Sequence, residues 1–103
     1  MALKLRLRNR WQHQGKDWWQ WDAFVDDDGS GDLGQVDHVD YILHPTFADP
    51  VRTVTDPSEG FKMSTAGWGT FDLTAVVYAR DGKRQKLTHE LQLESSPPSG
   101  VSK

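Results

Sequence analysis

Cysteine is absent from the 103 residues, which excludes disulfide staples, thiolate zinc, iron–sulfur ligation and a cysteine nucleophile. No apolar run approaches the roughly 20 residues that a membrane span requires. The first ten residues alternate apolar and basic side chains, so they do not read as a signal peptide. Together these absences fit a reducing compartment, and a cytoplasmic location is the expectation. Catalytic signatures are missing too. There is no Gly-x-Ser-x-Gly elbow, no His-x-x-x-His pair and no glycine-rich phosphate loop, so neither an enzyme nor a cofactor is expected. Acid is missing from residues 1–16, whereas residues 17–59 carry eleven acids against Arg52 alone. A middle this acidic repels a phosphate backbone and attracts cationic peptides, so nucleic acid is not an expected partner.

What remains is a chain of net charge −3 with 36% hydrophobic and 26% charged residues, a globular balance with room for one core. Period-two alternation dominates it. Leu3, Leu5 and Leu7 interleave with Lys4, Arg6 and Arg8. Trp19, Trp21, Ala23 and Val25 share one strand face, with Trp18, Gln20, Asp22 and Phe24 on the other. Val39, Tyr41 and Leu43 follow, then the short runs Val51 to Thr55 and Phe61 to Met63. Phe71 to Ala79 alternates cleanly, and Leu87, His89, Leu91 and Leu93 do so after an Asp81-Gly82 hairpin turn. No window carries a helical stripe. Short strands between turn residues predict an all-β, antiparallel, immunoglobulin-like sandwich of seven to eight strands over residues 1–94. Residues 95–103 are rich in Ser, Pro and Gly without apolar period and are expected to form a flexible tail.

Two loops stand out. In His44-Pro45-Thr46-Phe47-Ala48-Asp49-Pro50, two prolines fix φ and present His44, Thr46 and Phe47 with little entropy left to lose. In Gly67-Trp68-Gly69, the glycines allow another backbone to approach closely and leave the Trp68 N–H unshielded.

With these loops, the stretches Val39 to Phe47, Asp49 to Arg52, Gly60-Phe61, Gly67 to Phe71 and His89 to Leu93, taken in order, resemble the YEATS domain family, most closely its prokaryotic branch. The resemblance implies an eight-stranded immunoglobulin-like sandwich that reads acetylated or crotonylated lysine without catalysis. By the same resemblance, Phe47 and Trp68 look like two aromatic walls of an acyl-lysine slot, and Thr46 like the hydroxyl that meets the acyl amide. His44 resembles the histidine that orients that hydroxyl, and the Trp68 backbone N–H, between Gly67 and Gly69, the donor to the acyl carbonyl. Two departures are visible. The loop before the second strand reads Gln12-His13-Gln14-Gly15-Lys16 where eukaryotic members carry an aromatic, so either Trp11 or His13 substitutes or the pocket is open on that side. Pro45 stands where many of those members carry Glu.

Plainer readings stand beside each of these. At least one of Trp18, Trp19 and Trp21 is expected in the core. Phe47 reads either as a slot wall or as a plug beneath its own loop. His44 reads either as a loop hydrogen bonder or as part of the site, and orienting Thr46 would be both. His89, among apolar neighbours, reads as a packed core residue. Asp26, Asp28, Ser30, Gly31 and Asp37 approach a calcium-loop spacing, but strands rather than helices flank them, and Asp-Asp-Asp-Gly-Ser-Gly is an ordinary hairpin tip, so no metal site is assigned. The rival function is a structural or assembly domain of a prokaryotic signalling or defence protein with no acyl-lysine ligand. An aromatic platform for sugars is a third reading.

Overall fold

The computed structural model of the chain describes residues 3–95 and 98–102. Eight strands follow one another: β1 (Arg6–Gly15), β2 (Trp18–Asp26), β3 (Val36–Ile42), β4 (Val51–Val54), β5 (Met63–Gly67), β6 (Asp72–Ala79), β7 (Arg84–Glu90) and β8 (Ser99–Val101). One 3₁₀ turn, Asp32–Gln35, interrupts the acidic loop between β2 and β3. The strands form two four-stranded sheets, ordered β5-β2-β1-β8 and β4-β3-β6-β7, with every pairing antiparallel. This is the expected immunoglobulin-like sandwich. No helix among the described residues is long and apolar enough to cross a membrane.

Alternation builds the core as expected. Leu7, Trp11, Trp21, Ala23, Val25 and Met63 point inward from one sheet, and Val36, Val39, Tyr41, Leu73, Ala75 and Val77 from the other. Tyr41 ties the two layers, its hydroxyl donating to the Phe61 carbonyl at 2.6 Å. Burial pushes the pKa of that phenol well above its ordinary value, so it stays a neutral donor. At the far end of β6 the Asp81-Gly82 turn closes the hairpin: Gly82 takes φ +88°, and the Lys83 N–H donates to the Asp81 carboxylate at 3.0 Å.

Two expectations need correction. The Phe61 to Met63 run is not a strand from its first residue. Glu59, Gly60 and Phe61 all have positive φ, so a turn drops Phe61 into the core and pairing starts at Met63. The larger correction concerns the tail. Ser99–Val101 pair with β1, Gly100 opposite Trp11. A Cβ on Gly100 would lie 2.6 Å from the Trp11 ring, so only glycine lets the indole and this strand meet. Buried Asn9 completes the seam. Its amide donates to the Gln92 carbonyl at 2.7 Å, and its Oδ1 accepts from Gln92 N at 3.0 Å and from His89 Nε2 at 2.7 Å. Its backbone N–H donates to the Ser102 hydroxyl at 2.8 Å, and Ser102 N returns a bond to the Asn9 carbonyl at 2.7 Å. At the other end of the segment, the His13 N–H donates to the Pro98 carbonyl at 2.6 Å. Pro98 to Ser102 thus belong to the sandwich through backbone pairing and Asn9, which a search for apolar period does not register. The tail expectation at Ser96, Pro97 and Lys103 lies outside the described residues.

Candidate functional site

At one end of the sandwich, β3 stops at Ile42 and Leu43 enters the core. The chain then leaves as the loop 44–50, and the Leu43 N–H donating to the Pro50 carbonyl at 2.6 Å closes its base. Within it, His44 Nδ1 accepts the Thr46 backbone N–H at 3.2 Å and lies 2.9 Å from Thr46 Oγ1. A ring nitrogen that accepts from a backbone N–H carries no proton, so it accepts the hydroxyl proton as well. The lone pairs of Thr46 Oγ1 are then left for an outside donor. Phe47 is half-buried. Its ring stands nearly perpendicular to Trp21, 6.4 Å between centroids, and 5.6 Å from Phe71, so two core-side aromatics fix its orientation.

The opposite wall comes from the end of β5. The β2–β5 ladder finishes at Trp19 opposite Gly67, and the chain turns out through Trp68 and Gly69. Trp68 is 69% exposed, the most exposed large hydrophobic residue described. A Cβ on Gly67 would sit 3.4 Å from the tip of the Phe47 ring, so the bare glycine leaves clearance at the back of the wall.

Between these walls lies a cleft of about 380 Å³. All six residues singled out in the sequence, His44, Thr46, Phe47, Gly67, Trp68 and Gly69, line it. Among the described residues, the ring contacts of Phe47 run to Trp21 and Phe71 and not to Trp68, so neither wall has collapsed onto the other. No lining residue carries a carboxylate or a Lys or Arg cation. The arrangement offers two apolar faces and a hydroxyl acceptor.

The sequence profile of the prokaryotic YEATS domain matches residues 19–92, most of the chain. The chain belongs to that family. Among curated relatives, transcription initiation factor TFIID subunit 14 of Schizosaccharomyces pombe is 38% identical over 64 residues, covering 61% of this chain and 26% of the relative. The AF-9 homolog of the same organism is 32% identical over 82 residues, covering 76% of this chain and 37% of the relative. The chain thus spans about a quarter to about a third of these longer proteins. Of solved structures, the Yaf9 YEATS domain bound to H3K27ac aligns with TM-score 0.73 over 95% of this chain and 78% of its own, at 23% identity. The Yaf9 YEATS domain recognizing an H3K122suc peptide aligns with TM-score 0.68, at 24% identity, covering 95% and 79%. At such identities the likeness shows a shared fold.

This YEATS domain departs from the sequence expectations at two points near the cleft. Trp11 is buried under Gly100, and the His13 ring packs on Trp19 at 4.9 Å while its Nε2 meets the Lys16 carbonyl, so neither replaces a loop aromatic. Instead the cleft takes Trp18, 48% exposed at the start of β2, together with Phe71 just before β6. The signal for Trp18 was present: alternation sets it on the face opposite Trp19 and Trp21. Those two behave as core and near-core. Trp21 is 1% exposed, and Trp19 is half-buried with its indole N–H donating to the Glu94 carbonyl at 3.1 Å. In the acidic loop the carboxylates serve the local backbone. Asp27 accepts from Gly29 N at 3.0 Å and Leu33 N at 3.3 Å, and Asp26 accepts from Asp28 N at 3.0 Å. The Asp28 bond and the Arg8 guanidinium hold the Asp26 carboxyl below its ordinary value.

Proposed function

We propose that this YEATS domain is a non-enzymatic binding module for acylated lysine in a peptide or protein, held in the cleft between Phe47 and Trp68. The observation that carries the reading is the His44-oriented Thr46 hydroxyl lining one cleft together with Phe47 and Trp68, whose rings make no contact with each other among the described residues. An acylated lysine ends in a flat, uncharged amide that fits between facing rings, each wall worth about 1 kcal/mol beyond the area it covers. Its N–H donates to the free lone pair of Thr46 Oγ1, and its carbonyl accepts from the Trp68 backbone N–H, so burial leaves neither polar atom unpaired. Unmodified lysine is rejected because its ammonium would lose water in a cleft without a lining carboxylate. Support from relatives is of the same kind: the Yaf9 YEATS domain is seen with H3K27ac and with an H3K122suc peptide.

The test is a calorimetric titration with acetyl-lysine, crotonyl-lysine and unmodified lysine versions of one peptide. Binding to the acylated forms alone is the expected result. Equal or absent response to all three would overturn it and favour an assembly role, in which the exposed Trp18 and Trp68 cover a partner protein.

A further inference from the structure

A second, wider groove of about 850 Å³ runs along the outer face of the β5-β2-β1-β8 sheet, and Ala66 lines both it and the cleft. Antiparallel pairing arranges this face in rows. Ala66, Gln20 and Gln12 stand side by side, and two residues further along the strands come Ser64, Asp22 and Arg10. At about 3.3 Å per residue, the second row lies about 13 Å from Trp18 at the cleft, the reach of some four residues of extended peptide.

The charges on this second row are unusual. The neighbouring cations are paired: Arg8 with Asp26 at 2.7 Å, and Lys62 with Glu59 at 2.7 Å. Arg10 and Asp22 are cross-strand partners, yet among the described residues neither forms an ion pair. The Arg10 guanidinium instead lies over the Phe24 ring, 4.9 Å from its centroid, and its Nε is buried with no acceptor. A buried, charged donor without an acceptor is costly, and among the described residues no hydrogen bond occupies the terminal nitrogens of this guanidinium, which leaves them for a planar carboxylate.

We propose that this groove holds the extended flank of the same peptide whose acyl-lysine fills the cleft, and that Arg10 selects an acidic residue about four positions away. The inference rests on the acyl-lysine reading. It adds a second determinant, sequence around the modified lysine, to the first. Asp22, beside Arg10, accepts from the backbone N–H groups of the same flank.

The experiment uses eleven-residue peptides with a central acetyl-lysine in a glutamine background, in which one glutamate is walked through positions three to five on either side. On one side, glutamate raises affinity several-fold over glutamine, and raising the ionic strength shrinks the gain. Arg10→Gln removes that gain and leaves affinity for the all-glutamine peptide unchanged. Ser64→Phe, which fills the groove from the neighbouring strand, also removes the gain and weakens the all-glutamine peptide by displacing its flank, and this keeps the test alive should Arg10→Gln impair folding. Equal affinity for glutamate and glutamine at every position, or a gain that survives both substitutions, overturns the proposal. Equal affinity of the acetylated and unmodified peptides, with the glutamate gain intact in both, sinks the acyl-lysine reading and leaves the groove standing, so the two failures are distinguishable.

Discussion

The cleft end of the sandwich and the Asn9 seam are built from opposite treatments of polar groups. At the seam, one buried asparagine uses its backbone and both polar side-chain atoms on Gln92, His89 and Ser102, and no polar atom of the side chain is without a partner. At the cleft, the hydroxyl of Thr46 is turned by His44 so that acceptor capacity remains, and the most exposed large hydrophobic side chain among the described residues, Trp68, lines the same opening. Satisfied polar groups in the interior fix a structure. Unsatisfied ones at a rigid apolar opening suit a ligand. The contrast predicts that mutations at the two places separate stability from binding.

The strongest expected effect is at the seam. Asn9→Ala strands the Gln92 backbone and the His89 donor while the backbone bonds to Ser102 survive, at a cost of about 3 kcal/mol. Chemical denaturation reads this as a fall in midpoint, while acyl-peptide affinity of the folded fraction is unchanged. Trp68→Ala is the mirror case. Loss of one wall costs about 2 kcal/mol of binding, roughly thirty-fold, with a melting temperature equal to that of the unaltered domain. A lowered melting temperature would show that the indole supports the fold, and the contrast would break. Phe47→Ala falls between the two and lowers both quantities, because its ring also packs on Trp21 and Phe71.

A finer cut is Thr46→Val. The substitution keeps shape and removes the acceptor, so binding weakens by about 1–2 kcal/mol. Stability barely moves, because Thr46 is exposed and the His44 contact with its backbone N–H survives. Equal affinity for the two proteins in calorimetry would place the acyl amide elsewhere.

The same contrast explains what could be read in advance. Every strand of the two large hairpins showed itself through alternation, because one face of each is buried, and Trp21, Val39, Tyr41 and Leu73 landed where period two put them. Five of the six residues read from the sequence lie on two short loops and Gly67 ends β5, and the prolines of the first stretch and the glycines of the second mark them directly. The seam was illegible for a physical reason. β8 is three residues long, contributes no apolar stripe, and is held by backbone bonds, by Asn9 and by the bare Cα of Gly100 under Trp11. Composition alone gives such a segment the signature of a tail. Alternation sets Trp18 on the face opposite Trp19 and Trp21, but its place at the cleft follows only from the register of β2 against β5, whose last pair, Trp19 with Gly67, leaves Trp18 at the open end.

The smallest effect sharpens the seam further. His89 Nε2 donates to Asn9 Oδ1, which requires a proton on that nitrogen but no positive charge. Burial first, then the nearby Arg6 and Arg8, depress the ionisation of this imidazole below its ordinary value. Above the ordinary histidine value, about 6.5, folded and unfolded chains hold the ring alike and no stability is lost. As pH falls below that value, the unfolded chain takes up the proton first, so stability declines with decreasing pH until the folded ring titrates as well. Asp26, depressed from its own ordinary value, titrates in a more acidic range and does not share the window. His89→Gln retains an N–H for Asn9 and cannot titrate. Denaturation midpoints measured between about pH 7 and pH 5 should fall less steeply for this variant than for the unaltered domain, and parallel curves would mean that the ring is not insulated by the seam.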